Sequence, residues 1–506
     1  MPSPHASPVP AASLFKNVAR ASGAYSLPFI LQRLAGVFLL PITTRYLTRS
    51  DFAIVDLLDQ ALTVLALLLG VRFAAALGYF YFQADSPPAR QRVASTAIFG
   101  AAIIGTTAAA AIWPCAAELS RLVFGNPSAA RYIHIALFTW PIGFAMEALF
   151  SLLRVENRTA MYNLASAIRL VLSLAAIVAL VALLKLRVAG MLYSGLIAGG
   201  LTLLFMGTEA LRRMRPAFDF RIFARMARFA MPLGVGGIAT LIINFGDRFF
   251  LPHYRPLADL GIYVLAYKVG MLIAFVYGSF DAHWSAQVFQ IMRREDSDRV
   301  FARMFTYVVL GLSSAGLALV VCARPILRIM VAPAFQDAAA LVPVIVLAYF
   351  IRALGDFLRS LFLVAGRTGY DAITNWFGAL VCLASYWMLI PRFGIWGAAF
   401  ATVIAFAVIA VVSAVWAYRV QRYRIEAGRL AKVGAALTVA ILPCFVLPAS
   451  SLLAQIGVAA GSLAIFPAAL WILRFATPGE LQDGRAAVQA TVRRLYAASR
   501  RAIARS

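Results

Sequence analysis

Charged residues are scarce in this chain and make up 13% of its 506 residues, against about 25% in an ordinary soluble protein. Cysteine and histidine are scarcer, with four of each. The cysteines lie in or beside apolar runs without CxxC spacing, so neither a disulfide framework nor a zinc site is indicated. The scattered histidines match no metal-ligand spacing. No GxxxxGK[ST] sequence occurs, which excludes an ATP-driven pump built on a P-loop.

Apolar residues make up 62% of the chain, more than a soluble core can bury, so we expect an all-α polytopic membrane protein. One helical crossing uses about 20 apolar residues plus a connection, which predicts about fourteen crossings. Soluble enzymes, secreted disulfide scaffolds and single-span receptors are excluded. The predicted spans, numbered one to fourteen, are 22–47, 55–80, 93–114, 128–153, 161–184, 188–211, 229–252, 259–288, 302–323, 337–363, 371–391, 394–418, 432–449 and 452–474.

The distribution of cations predicts the topology. The net charge of +25 would indicate nucleic acid in a soluble protein, but here we expect no nucleic-acid partner. Alternate connections hold 29 Lys and Arg on one side and nine on the other. The positive-inside rule therefore predicts that both termini are cytoplasmic.

The chain also repeats itself. Four short matches recur at offsets of 204 to 209 residues, pairing Pro28 with Pro232, Asp51 with Asp259, Arg158 with Arg367 and Gly190 with Gly397. An even number of spans per repeat predicts two parallel six-helix lobes related by an axis along the membrane normal. The predicted parts are a tail at 1–21, lobes at 22–211 and 229–418 joined by a basic linker at 212–228, two further spans within 432–474, and a basic amphipathic tail at 475–506.

Three segments carry a family resemblance: SLPFILQRLAGVFLLPITTRYLTRSDFAIVDLLDQ, NFGDRFFLPHYRPLADLGIYVLAYKVG and RFGIWGAAFATVI. They resemble the polysaccharide transporter family of the multidrug/oligosaccharidyl-lipid/polysaccharide exporter superfamily, and its Wzx-type flippases in particular. The resemblance implies two lobes around a central MATE-like cavity and alternating access. It also implies that the chain is a bacterial inner-membrane protein. The implied activity is to move an undecaprenyl-pyrophosphate-linked oligosaccharide to the outer leaflet for O-antigen, lipopolysaccharide or exopolysaccharide synthesis.

The partners expected on this basis are the lipid-linked oligosaccharide, membrane lipids and polysaccharide polymerase or assembly proteins, with the chain acting as a monomer. We expect no cofactor; an H⁺ or Na⁺ gradient or the membrane potential is the candidate driving force.

Cations within the spans are the candidate substrate ligands. A cation at mid-bilayer costs at least about 2.5–3.5 kcal/mol on insertion scales and normally faces a partner, cavity or ligand. Snorkelling explains Arg45 and Arg169, which lie nearer span ends. Arginine binds phosphate through a planar fork that stays protonated. The predicted cationic cavity consists of Arg33, Arg72, Arg248, Lys268, Arg352 and Arg359.

Carboxylates give these cations a second interpretation. Arg248 follows Asp247, so a structural ion pair with another helix competes with substrate contact. Arg352, Asp356 and Arg359 share one helical face as an ion-pair ladder with one excess positive charge. Asp56 and Asp59, at i and i+3, can hold a proton or sodium ion or act as counter-ions for an arginine of span one. Ion coupling or charge pairing is thus predicted for Asp56, Asp59, Asp247 and Asp356.

Three other functions compete with this prediction. A lipid II flippase of peptidoglycan synthesis shares a cationic cavity and fourteen spans, and the sequence does not separate it from the first interpretation. A membrane glycosyltransferase or polymerase is disfavoured because the longest outer connections, 115–127 and 324–336, are short and nearly devoid of carboxylates. A drug exporter is disfavoured because it would need a cavity suited to cations, whereas this chain has cations within its own spans. We therefore expect a transporter and not an enzyme.

Overall fold

The computed structural model describes residues 36, 38–68, 73–125, 127–235, 237–447 and 450–476. The predicted N-terminal tail, 1–21, lies outside the described residues, and the predicted C-terminal tail, 475–506, does so from residue 477 onward. Arg33 and Arg72 also lie outside them.

The described residues form α-helices joined by short turns and contain no β-strand. A π-helical turn, Val178–Leu183, extends α8. The helices are α1 Leu40–Tyr46, α2 Arg49–Leu68, α3 Phe73–Gln83, α4 Pro87–Ile112, α5 Ala116–Phe124, α6 Ala130–Leu137, α7 Thr139–Val155, α8 Thr159–Ile177, α9 Arg187–Arg213, α10 Phe220–Val235, α11 Ile238–Phe250, α12 Leu257–Gly270, α13 Leu272–Ile291, α14 Ser297–Met330, α15 Val342–Val364, α16 Thr368–Phe393, α17 Ile395–Val420, α18 Ala427–Ile441, α19 Pro443–Val446 and α20 Leu452–Ile472.

Within the described ranges, nine helical segments are long and apolar enough to cross a membrane. The count rises to ten if the 3-10 helix Pro333–Ala340 and α15, which meet at a bend of 46°, form one span. The all-α membrane fold is thus confirmed, while the number fourteen stays a prediction. One reason is length: α18, in the predicted span thirteen, has 15 residues and extends about 22 Å, less than the roughly 30 Å of a bilayer core.

Local structure agrees with the sequence repeat at three of its four matches. Asp51 and Asp259 each lie in the first turn of a helix, and α8 and α16 begin at the threonines that follow Arg158 and Arg367. The fourth match, Pro28 with Pro232, includes a residue outside the described part of the chain.

The paired glycines of the repeat also share an environment. A Cβ atom at Gly190 would lie 2.9 Å from the carbonyl oxygen of Leu180, and one at Gly397 would overlap the carbonyl oxygen of Leu389. Only glycine permits both approaches. The bounds and symmetry of the two lobes stay a prediction.

The chain divides into two compact units. Unit 1 comprises Met1–Tyr267, Ile329–Leu341 and Ala372–Val408, and unit 2 comprises Lys268–Arg328, Val342–Asp371 and Ile409–Ser506. In unit 1, small residues such as Ala76, Ala97 and Ala148 bring α3, α4 and α7 close together. In unit 2, α14, α18 and α20 pack through a separate apolar cluster that includes Leu317, Val433 and Phe466.

Candidate functional site

A buried ion pair joins two helices of unit 1. Arg248 Nη1 on α11 donates to Asp56 Oδ2 on α2 at 2.6 Å, and the two side chains are only 5% and 6% exposed. The guanidinium also lies over the ring of Tyr267, 4.9 Å from its centroid. Of the two roles predicted for Arg248, the structure provides the ion pair with another helix, and the partner is Asp56.

Asp247 is fully buried beside this pair and is held by two other donors. Tyr263 donates its hydroxyl hydrogen to Oδ2 at 2.5 Å, and the backbone N–H of Arg248 donates to Oδ1 at 2.8 Å. The group formed by Asp56, Asp247, Arg248 and Tyr263, here the Asp247 cluster, contains two carboxylates and one guanidinium. With both carboxylates ionised, the described residues of the cluster carry one excess negative charge.

The local sequence explains why Asp56 and Asp247 lie where they do. Thr48 and Asp51 cap the start of α2 reciprocally, since the Thr48 N–H donates to Asp51 Oδ2 and the Asp51 N–H to Thr48 Oγ1. Arg187 adds an ion pair to Asp51 at 2.6 Å. On α11, a Cβ at Gly246 would lie 3.0 Å from the ring of Tyr386, so glycine lets α11 approach α16 beside Asp247.

Two other predicted residues have exposed side chains in the described structure. Asp59 lies one turn after Asp56 on α2, and Lys268 lies near the end of α12. The spacing of Asp56 and Asp59 therefore places one carboxylate in the core and the other at the surface.

A second charged group lies in unit 2. Arg352 Nε donates to Asp356 Oδ2 at 3.0 Å. Arg359 Nη1 donates to Asp371 Oδ1 at 3.1 Å, and Arg359 Nε lies 3.9 Å from Asp356 Oδ1. Asp281 adjoins them through its interaction with Asp356 and Arg359. These five residues, here the Asp356 cluster, are between 17% and 33% exposed where they form ion pairs.

Asp281 and Asp371 reverse the charge expected from the ladder. Three residues of α15 alone carry one excess positive charge, but the whole Asp356 cluster contains three carboxylates and two guanidiniums. Sequence reasoning omitted Asp281 although it is an isolated carboxylate inside the predicted span 259–288, the same signal that selected the cations. Tyr263 gave no such signal, because a tyrosine in a span is ordinary. Among the described residues, no group of three His, Cys, Asp or Glu side chains is arranged to hold a metal ion.

Comparison with known proteins gives a family and a fold. The family described as polysaccharide biosynthesis protein matches residues 18–281, and no curated protein matches the chain in sequence. The structure is similar to the lipid II flippase MurJ in an inward closed conformation, with a TM-score of 0.71, 13% identity and coverage of 88% of this chain and 98% of that one. It is also similar to an inward-facing multidrug resistance MATE family transporter of the MOP superfamily, with a TM-score of 0.65, 16% identity and coverage of 79% and 97%. At these identities the similarity shows the fold.

Proposed function

Since the chain belongs to the polysaccharide biosynthesis protein family and has a multi-pass membrane transporter fold, we propose that it is a flippase for an undecaprenyl-pyrophosphate-linked oligosaccharide. It translocates this substrate across the bacterial inner membrane by alternating access, for surface polysaccharide synthesis. The observation that carries the proposal is the family match over residues 18–281. Relatives of the same fold are described as flippases and transporters, which supports transport and not catalysis. The flippase acts as a monomer and delivers its substrate to a polymerase or other assembly proteins.

The chemical demand on such a carrier is to compensate the pyrophosphate. Moving an ion out of water into hydrocarbon costs many kcal/mol, so the transport path has to supply cations. Arg248 has a carboxylate partner in the Asp247 cluster, as Arg352 and Arg359 have in the Asp356 cluster. We assign contact with pyrophosphate to Arg33, Arg72 and Lys268 together with these three arginines, as the sequence predicts.

The Asp247 cluster supports a coupling role. Two carboxylates around one guanidinium become neutral when one H⁺ or one Na⁺ binds, and burial penalises the unneutralised state. Binding and release of that ion at Asp247 links transport to an ion gradient. With Asp247→Asn, which keeps an oxygen to accept from Tyr263, we expect export to become insensitive to collapse of the gradient. The parallel variant Asp59→Asn should keep the gradient dependence.

The central experiment expresses variants in a flippase-deficient strain and measures surface polysaccharide together with membrane abundance. Arg33→Ala and Lys268→Ala should each lose a charge-assisted contact of about 1.5–3 kcal/mol, and so most export, at normal abundance. The matched controls are Arg45→Ala, in the same predicted span as Arg33, and Lys185→Ala, an exposed lysine in the turn before α9. Full export by both test variants, or a loss explained wholly by abundance, contradicts the cavity role.

A lipid II flippase is the second candidate, because the fold match covers 98% of the MurJ chain. The two candidates differ in cargo and can be separated by complementation. The chain should restore surface polysaccharide in the flippase-deficient strain and should fail to sustain growth when the resident lipid II flippase is depleted. The reverse pattern establishes the second candidate.

The proposed orientation, with cytoplasmic termini, is tested by cysteine labelling of intact cells. Cys115 is exposed and lies at the start of a predicted outer connection, so it should react with an impermeant thiol reagent. In a Cys115→Ala background, Arg215→Cys in the basic linker should react only after the cells are opened. Labelling of Arg215→Cys from outside contradicts the orientation.

A further inference from the structure

A charged cavity lies in unit 1 where four helical segments long and apolar enough to span a membrane begin or end. We call it the head cavity. Its polar side chains come from the start of α4, the turn between α7 and α8, and the end of α9. The charged ones are Arg90, Glu156, Arg158, Glu209 and Arg213. Because these are helix ends, the head cavity lies at a membrane–water interface, on the side predicted to be cytoplasmic.

The ion pairs in the head cavity leave donors for a ligand. Glu209 accepts from Arg158 Nη2 at 2.9 Å and from Arg213 Nε at 2.6 Å, while Arg158 Nη1 lies 3.8 Å from Glu156. Each guanidinium carries five N–H groups in a fork that fits phosphate oxygens. Three arginines and two glutamates give the head cavity a net charge of +1.

An apolar groove continues from the head cavity. Leu149, Ala210 and Met214 line both. This chain groove follows α9 from Met214 back to Gly200, a depth of about 20 Å along the helix. Its remaining lining is almost wholly apolar and includes Ile98, Phe99, Leu203, Leu204 and Leu211.

Two features show that the chain groove is a defined channel. A Cβ atom at Gly207 would meet nothing within 4 Å, so the groove passes α9 at a position that has no side chain. The segment after α9 is held against α4, because the Ala217 N–H donates to Ser95 Oγ at 2.8 Å and the Asp219 N–H to Thr96 Oγ1 at 3.1 Å. These bonds fix the position of the segment that carries Pro216. Pro216 in turn lines the groove.

We propose that the head cavity and the chain groove together bind one anionic phospholipid of the surrounding leaflet. The phosphodiester accepts hydrogen bonds from Arg158 and Arg213, and one acyl chain lies along α9 over Gly207. Basic pockets between membrane helices are suited to such headgroups. A single negative charge, as in phosphatidylglycerol, neutralises the net +1 of the head cavity. A pyrophosphate diester carries two charges and overcompensates it, so this site is distinct from that of the proposed cargo.

The test measures binding of phosphatidylglycerol to the purified full-length protein in detergent by native mass spectrometry. Gly207→Leu fills the chain groove; its matched control, Gly195→Leu, adds the same side chain on α9 at another glycine with open space. Arg213→Gln removes a headgroup donor, and Arg212→Gln is the neighbouring control outside the cavity. We expect each test variant to weaken binding about ten- to a hundredfold, and each control to bind as the wild type does.

Other probes distinguish the ligand classes. Diacylglycerol with the same chains lacks the phosphate, and glycerol 3-phosphate lacks the chains; both should bind at least about tenfold more weakly than phosphatidylglycerol. Tighter binding of undecaprenyl pyrophosphate than of phosphatidylglycerol, abolished by Gly207→Leu, would overturn the proposal and assign the site to cargo. Equal binding by Gly207→Leu and Gly195→Leu would also overturn it. If Arg213→Gln does not elute as a monodisperse protein, the Gly207 pair decides.

Discussion

In the Asp247 cluster of unit 1, charged side chains meet across helices that are far apart in the chain, whereas the ion pairs of the Asp356 cluster in unit 2 lie mainly along one helix. Arg248 and Asp56 are 192 positions apart and almost fully buried. Arg352 and Asp356 are four positions apart on α15 and 17% and 23% exposed. Both clusters contain one more carboxylate than guanidinium, so they differ in burial and sequence separation and not in excess charge.

The difference indicates how strongly each cluster depends on the tertiary fold. A buried ion pair has lost its hydration, and removal of one partner leaves the other charge uncompensated in a low dielectric. A partly exposed pair on one helix forms as soon as the helix forms, and water can reach a charge whose partner is missing. We therefore expect the Asp247 cluster to be sensitive to single substitutions and the Asp356 cluster to tolerate them.

The largest expected effect is that of Asp56→Asn. It leaves Arg248 buried without its carboxylate partner and should lower the free energy of unfolding by about 3–5 kcal/mol. Thermal unfolding of the purified protein in detergent measures the loss. The double variant Asp56→Asn with Arg248→Gln removes both charges and should recover part of it.

Asp59→Asn provides the matched control for this prediction. It makes the same substitution one turn further along α2, at an exposed side chain whose interactions are screened by water, and should lower the unfolding temperature much less than Asp56→Asn does. Equal unfolding temperatures for the Asp56 and Asp59 variants would show that burial does not separate the two positions.

A smaller effect is expected for Asp356→Asn in unit 2. The carboxylate is 23% exposed and its partners Arg352 and Arg359 are 17% and 33% exposed, so solvent screening limits the loss to about 1 kcal/mol or less. A double-mutant cycle with Arg352→Gln isolates the pair, and its coupling energy should be about 0.2–1 kcal/mol. A coupling energy as large as that between Asp56 and Arg248 would remove the contrast between the clusters.

The sequence predicts well whatever depends on neighbours in the chain. Apolar composition predicts the all-α membrane fold, and spacing predicts the shared face of Arg352, Asp356 and Arg359. The repeat matches Gly190 with Gly397, and the structure gives both glycines a close approach to a carbonyl of the preceding helix. Each of these inferences uses only helical periodicity or self-similarity.

The sequence does not predict contacts that need the tertiary fold. Nothing in the neighbourhood of Arg248 identifies Asp56 as its partner on another helix, because the partner depends on where α2 packs against α11. The hydroxyl of Tyr263 reaches Asp247 for the same reason. Asp281, in contrast, can be recognised as a candidate from the sequence, since a lone carboxylate inside a span is as informative as a lone cation.

The smallest effect on the unfolding temperature is expected for the pair of Arg294 and Asp296. This pair lies in an exposed turn between α13 and α14, so it extends the comparison to an exposed ion pair. Arg294 Nε donates to Asp296 Oδ1 at 2.8 Å, and this hydrogen bond lowers the pKa of the Asp296 carboxyl below its ordinary value. A lowered pKa in the folded state means that the pair stabilises the protein at neutral pH and that this contribution is lost as the pH falls through the lowered pKa. Because the pair is exposed and screened by salt, the unfolding temperature of the Asp296→Asn variant at pH 7 should equal that of the wild type within experimental error. The measurement is made beside Asp56→Asn in the same detergent. A clear decrease in unfolding temperature for Asp296→Asn at pH 7 would mean that burial is not what distinguishes the sensitive cluster of unit 1 from the tolerant pairs elsewhere.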